Sequence, residues 1–209
     1  MLANCTSCPR LSGFLSEVRK KHPTYHSLPV APFGDKRARL LIVGLAPGMH
    51  GANRSGRPFT GDHAGIMLYE TLHRFGFASG PLSVAADDGL ELISARITNA
   101  VKCLPPQNKP EPSEIRTCNH FLAAELKASK DLRVILALGG VAHKAVLLAY
   151  GMKQSALDFA HCARHELPDG RVLVDSYHCS RYNTQTRRLT AEGFADVFRI
   201  IRAELERQG

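Results

Sequence analysis

The chain has 209 residues, 44% of them hydrophobic, which is enough to build one substantial core and argues against a disordered or collagen-like chain. Lys and Arg number 27 against 19 Asp and Glu, a formal charge of +8, and that balance favours a polyanionic partner. The longest apolar runs, "VILAL" and "VLLAY", are far short of a membrane span, and without a secretory apolar segment a cytoplasmic location and no membrane partner are expected.

The first feature along the chain is Cys5-x-x-Cys8, directly before a helical stretch. "RLLIVGL" (Arg39 to Leu45) reads as a buried strand, because a short continuous apolar run ending in glycine is what a parallel strand covered on both faces looks like. "RITNAVKC" (Arg96 to Cys103), "RVILALG" (Arg133 to Gly139) and "RVLVDSY" (Arg171 to Tyr177) repeat the form. Helical patterns lie between them, over Ala64 to Phe75, Ser113 to Ser129 and Val141 to Tyr150. "LPDG" (Leu167 to Gly170) predicts a turn before the fourth strand, with "DFAHCARHE" a candidate to pair with it. A last helix is expected after Thr190, its N-cap, with Phe194, Val197, Phe198, Ile201 and Leu205 on one face. Strands alternating with helices predict one domain over residues 1–209, a three-layer α/β/α sandwich with a mostly parallel central sheet. Ligands of such folds bind at the loops leaving the carboxyl ends of the strands.

Those loops carry the unusual residues. "GLAPGMHGANRSGRPFTGD" (Gly44 to Asp62) holds five glycines, two prolines and two arginines, a composition that brings backbone close to a ligand. It is neither a Walker A sequence nor a GxGxxG fingerprint. Phe59 is suited to stacking on a planar base or to plugging the core beneath the loop. Asp62 is a helix N-cap, a catalytic carboxylate, or both. Asn99 lies inside an apolar strand, where an amide is costly unless it is hydrogen-bonded; it would read the edge of a pyrimidine or hold the Pro-rich loop. "SYHCSRYNTQTRRLT" (Ser176 to Thr190) offers His178, Ser180 and three arginines to a developing anion or to phosphates. His143 opens the helix after Gly139 and Gly140 and would meet a phosphate there or pack on the sheet. Six cysteines without an export signal favour metal binding or burial over disulfides. Cys5, Cys8, Cys103 and Cys118 could together hold a [4Fe-4S] cluster or a tetrahedral zinc; Cys162 and Cys179 fall outside that set.

Taken together, the paired cysteines, "GLAPGMHGANRSGRPFTGD", "TNAVKCLPPQNKPEPSEIRTC", "ALGGVAHKAV" and "SYHCSRYNTQTRRLT" resemble the uracil-DNA glycosylase superfamily, most closely its iron–sulfur family 5, the type-b enzymes. The resemblance implies hydrolysis of the N-glycosidic bond of uracil in duplex DNA by a monomeric repair enzyme, leaving an abasic site. A monofunctional enzyme is expected because the motif loops Gly44 to Asp62 and Ser176 to Thr190 hold no lysine, Lys102 after Asn99 being the exception. It implies a [4Fe-4S] cluster on Cys5, Cys8, Cys103 and Cys118. Phe59 would stack on the extruded base, Asn99 would bind its edge, and Gly44 and Ala46 would complete the base site. His178 would stabilise the departing base and Asp62 the sugar cation or the attacking water. Arg54, His143, Ser180, Arg181, Tyr182 and Arg187 would contact DNA, with Arg181 and Tyr182 the candidates for a wedge. Apolar Leu45 and Ala46, where other families carry a polar residue, imply tolerance of deaminated purines such as hypoxanthine and xanthine. Two residues depart from the family pattern: Cys179 replaces the proline of His-Pro-Ser, and Arg187 stands where glycine is expected. The competing expectations are a basic iron–sulfur module that recognises damaged DNA without cleaving it and an iron–sulfur electron carrier. The first differs from the enzyme in whether Asp62 and His178 converge on one pocket.

Overall fold

The computed structural model describes residues 2–207. Its centre is a six-stranded sheet in the order β1-β3-β2-β4-β6-β5. The parallel strands are β2 (Leu40–Gly44), β3 (Ala95–Asn99), β4 (Val134–Leu138) and β6 (Val172–Ser176). Three of them are buried along their whole length, which is why they read as uninterrupted apolar runs. Short antiparallel strands close the two edges, β1 (Phe33–Gly34) on β3 and β5 (Arg164–Glu166) on β6. The second of these is the pairing expected of "DFAHCARHE".

Alternation along each strand sends neighbouring side chains to opposite faces. Leu40 and Ile42 therefore join a core with Leu68 and Leu72 of α3 (His63–Arg74) and with Phe194, Val197, Phe198 and Ile201 of α7 (Ala191–Arg207). Leu41 and Val43 face the other way, toward Leu122 and Leu126 of α4 (Pro112–Ala128) and Ala142 and Val146 of α5 (Gly140–Ala149). The result is the expected α/β/α sandwich. Burial of each large side chain stabilises it by about 1.5–3 kcal/mol, so the apolar stripe of α7 is a large share of one face. Thr190 caps that helix, accepting the Gly193 N–H at 3.0 Å.

The N-terminal helix α1 (Pro9–Lys21) begins at the residue after Cys8 and packs Leu11, Leu15 and Val18 against Val101 and Leu104. Arg10 fastens it to α4 through two charge-assisted bonds to Glu114, at 2.8 and 2.7 Å. Two short helices stand where only loop was expected: α2 (Ala52–Ser55) within the glycine-rich stretch and α6 (Arg181–Gln185) after His178. Four or five residues are too few to display a helical period. No helix among the described residues is long and apolar enough to cross a membrane.

Gly44 and Asn99 pair across β2 and β3, and Leu138 and Ser176 pair across β4 and β6. These are the last residues of the parallel strands, so the glycine-rich, Pro-rich, Gly139 and His178 loops all leave from one edge of the sheet.

Candidate active site

At that edge, Gly44 makes room for two side chains. A β-carbon on it would lie 2.4 Å from Asn99 Oδ1 and 2.6 Å from Cζ of Phe59, closer than any real contact. Phe59 is held there by an unusual backbone, with φ at +56°, a left-handed conformation that bulky residues rarely adopt. Gly65 of α3 lets that backbone through, since a β-carbon there would meet the Phe59 carbonyl at 1.8 Å. The adjacent Pro58 carbonyl accepts the buried Tyr69 hydroxyl at 2.8 Å. Arg57, itself buried, is paired to Asp88 at 2.6 Å and donates to Thr60 at 2.8 Å. The loop is therefore a rigid wall.

It encloses a cavity of about 470 Å³ lined by Phe59, Asp62, Asn99 and His178, with Leu45 and Ala46 on the same surface. The Phe59 and His178 rings lie 5.8 Å apart at 29°. Asn99 is buried and its Oδ1 has no hydrogen-bond partner, nor has Nδ1 of His178. Buried polar atoms in folded proteins are nearly always satisfied, so two orphans at one cavity mark a surface that awaits a polar ligand. Burial also pushes the His178 pKa down to about 4; the ring is a neutral imidazole at physiological pH.

Asp62 serves two purposes. Its Oδ1 caps α3 by accepting the Gly65 N–H at 2.8 Å, while Oδ2 lies over Gly51, where a β-carbon would come within 2.7 Å of it. Burial raises its pKa, and hydrogen bonding at the helix N-terminus moderates the rise. A carboxylate that is more basic than usual and held at a cavity wall suits proton abstraction from water. Cys179 is fully buried behind it, with its thiol pushed up to about 12 by burial and then by the Asp62 charge, so it is an uncharged core residue.

The expected DNA-contacting residues divide. Ser180 and Arg181 line the cavity, Ser180 also capping α6 by accepting from the Asn183 N–H at 3.4 Å. Tyr182 projects into solvent at 70% exposure. Arg54 reaches over Gly61 at the loop's end. Arg187 is exposed and has φ at +57°, which is the physical reason a glycine suits that position. His143 is a correction: it is buried, bonded through Nδ1 to Asp175 at 2.9 Å and through Nε2 to the Leu157 carbonyl at 3.0 Å. It packs on the sheet and has no surface to offer DNA. Its pair with Asp175 spans elements far apart in sequence, which no local pattern discloses.

Sequence reading missed Asn108, Gly140 and Val141, which also line the cavity. Asn108 arrives through a left-handed turn, with φ at +56°, and a helix start after paired glycines was the available signal for the other two. Lys102, next to the Asn99 strand, is buried with its ammonium on Thr98 and 3.8 Å from Glu125. No lysine lines the cavity among the described residues.

Cys5, Cys8, Cys103 and Cys118 line one small cleft between α1 and the Pro-rich loop. Burial and then the charges of the neighbouring sulfurs push the Cys103 thiol up to about 12, and burial raises Cys8 and Cys118 as well. The Lys102 N–H donates to Cys118 Sγ at 3.3 Å. Four sulfurs that repel one another as thiolates, in one apolar cleft, form a donor set that fits a cationic centre.

The family model for the uracil DNA glycosylase superfamily matches residues 31–202. The chain is 48% identical over 201 residues to the Type-5 uracil-DNA glycosylase of Thermus thermophilus, covering 94% of this chain and 91% of that protein. It is 42% identical over 207 residues to the Type-5 uracil-DNA glycosylase of Pyrobaculum aerophilum, covering 97% and 90%. Similarity to the Type-4 uracil-DNA glycosylase of the same organism is weaker, 32% over 158 residues, or 75% and 66% of the two chains.

Proposed function

Since this chain belongs to the uracil DNA glycosylase superfamily, we propose that it is a monofunctional DNA-repair glycosylase that hydrolyses the bond between uracil and deoxyribose. The observation that supports this most directly is the convergence of Asp62, Asn99, Phe59 and His178 on one cavity. That convergence also weighs against a module that binds damaged DNA without cleaving it.

The glycosidic carbon is shielded in a stacked duplex, so the nucleotide has to be extruded into the cavity. Phe59 then offers its face to the base. The unpartnered Asn99 Oδ1 accepts a ring N–H, which uracil and hypoxanthine present and which cytosine lacks at the equivalent ring nitrogen. Apolar Leu45 and Ala46 leave room for purines without contributing a donor or acceptor of their own, so the substrate range extends to hypoxanthine and xanthine.

As the carbon–nitrogen bond breaks, its electron pair leaves with the base and positive charge develops on the sugar. The neutral His178 ring donates a hydrogen bond to the anionic base oxygen, a role that an imidazole keeps without having to lose a proton first. The first amides of α5, around Gly140 and Val141, add positive potential on the same wall. The Asp62 carboxylate stabilises the sugar cation and takes a proton from the attacking water, whose oxygen bonds to the sugar carbon; the base anion is protonated on release. With Lys102 turned away, no lysine among the described residues faces the cavity to form a Schiff base, and the product is an intact abasic strand.

The same reading gives Cys5, Cys8, Cys103 and Cys118 a [4Fe-4S] cluster, which supplies a cross-link between the N-terminal segment and the loop that carries Asn108. The enzyme acts as a monomer on duplex DNA, its basic surface drawn to phosphate. The test is incubation with matched duplexes holding one uracil, hypoxanthine or xanthine, or normal bases only, followed by alkaline cleavage. Breaks confined to the damaged duplexes are expected; bound but unbroken DNA in every case would overturn the reading.

A further inference from the structure

A second cleft of about 290 Å³ adjoins the base cavity and shares Asp62, His63 and Arg181 with it. Its outer wall is apolar, formed by Ile66, Leu82 and Val84, which are 51%, 59% and 64% exposed. Single exposed apolar residues are ordinary, but three facing one cleft are not. Nor are they exposed through looseness of the loop. The Asp88 carboxylate accepts the N–H groups of Val84, Ala85 and Leu90 at 2.9, 3.2 and 3.0 Å and is paired to the buried Arg57 at 2.6 Å. Ser83 points inward, to Arg57 at 2.6 Å and Thr60 at 2.7 Å, and its carbonyl accepts the Gly61 N–H at 3.2 Å. Leu82 and Val84, on either side of it, are the residues that face outward. The chain thus fixes two apolar side chains toward solvent with a buried ion pair, beside a site for a flipped nucleotide.

Cations stand at the ends of this wall. Arg181 belongs to both clefts, and the Arg54 guanidinium lies over Gly61, where a β-carbon would come within 2.8 Å of Nη2. We propose that this cleft holds the nucleotide next to the extruded one on the same strand, its base and sugar against Ile66, Leu82 and Val84 and the phosphate it shares with the extruded nucleotide between Arg54 and Arg181. An apolar wall of this kind contacts any base, so the subsite contributes affinity and holds the strand open without reading sequence. The proposal rests on the glycosylase reading, because the occupant is defined by the extruded nucleotide beside it.

The test uses uracil duplexes carrying 2-aminopurine on the 5′ or the 3′ side of the uracil, bound by the 209-residue Asp62→Asn chain and read before the slowed excision proceeds. For one of the two positions the fluorescence rises on binding, and the rise is lost when Leu82→Ser and Val84→Ser are added; both are surface changes, checked for folding by thermal unfolding. In the otherwise native enzyme the same pair raises KM about tenfold and leaves kcat within about twofold. An unchanged fluorescence response together with an unchanged KM overturns the subsite. A fall in kcat at constant KM also overturns it, and makes the cleft a route for water to Asp62. Failure of the glycosylase reading shows separately, as absence of abasic sites with the native chain on any duplex.

Discussion

Gly44 lies so close to Asn99 that a single added carbon would stand 2.4 Å from its side-chain oxygen. The two residues pair across adjacent parallel strands, and strand pairing cannot relax locally. Gly44→Ala is therefore expected to push Asn99 and Phe59 out of position while the sheet stays folded. Misplacement of about 1 Å at a reacting centre costs on the order of a hundredfold, and kcat/KM for uracil excision should fall by about that factor. Retention of more than half the activity would mean that these side chains do not define the base site.

His178 and His143 give opposite pH signatures. His178 titrates near 4 in the fold against 6.5 for a free imidazole. The unfolded chain takes up this proton first, so the stability tied to the neutral ring is complete above about 6.5 and is lost as pH falls toward 4. His143 goes the other way. Burial opposes its charge, but the hydrogen bond to Asp175, the Asp175 charge and the Leu157 carbonyl outweigh burial and the repulsion of Lys144, and its pKa is raised. Both of its ring nitrogens face acceptors, and His165 meets the other side of Asp175 at 3.2 Å. Its contribution is complete below about 6.5 and fades as pH rises through the raised value. Urea unfolding from pH 4 to 9 should show His178→Asn flattening the acid limb and His143→Gln the neutral-to-alkaline one. The reverse assignment would contradict both environments.

Much of the fold was legible because buried parallel strands announce themselves as apolar runs. Leu40–Gly44, Val134–Leu138 and Val172–Ser176 lie within the stretches read as strands, and a site at their carboxyl edge followed from the architecture. Phe59, Asp62, Asn99 and His178 stood out as polar or aromatic residues in loops or strands that did not need them. His143 misled because its place at a helix start suited a phosphate, whereas its partners Asp175 and Leu157 come from elsewhere in the chain. Leu82 and Val84 were silent, since their exposure is fixed by an ion pair between Arg57 and Asp88, 31 residues apart.

Iron removal should act through stability. The anaerobically purified protein is expected to carry about four iron and four sulfide ions per chain, and Cys103→Ser to lose both and to unfold at lower temperature. Excision by the folded fraction should survive at low temperature, because none of the four cysteines lines the base cavity. An iron-free native protein, or a serine variant with its full complement of iron, would contradict the assignment.

Arg187 occupies a left-handed backbone position. Glycine adopts it freely and is relieved of the Cβ strain that Arg187 bears, so Arg187→Gly should leave the melting temperature unchanged or raise it, while Arg187→Val, whose β-branch crowds a left-handed backbone further, should lower it. Loss of one phosphate contact would also reduce the slope of log affinity against log salt by about 0.9. An unchanged slope would remove Arg187 from the DNA interface.

The account stands or falls on the Asp62 carboxylate and the neutral His178 ring. Asparagine at 62 keeps the capping oxygen for the Gly65 N–H, so Asp62→Asn removes the carboxylate without releasing α3, and His178→Ala removes the ring. The decisive measurement is single-turnover excision from one uracil duplex by the native chain and both variants, with Kd for that duplex measured alongside. The account predicts a rate lower by about a hundredfold or more with Kd changed less than about threefold. Equal losses of rate and affinity, or undiminished rates, would contradict it.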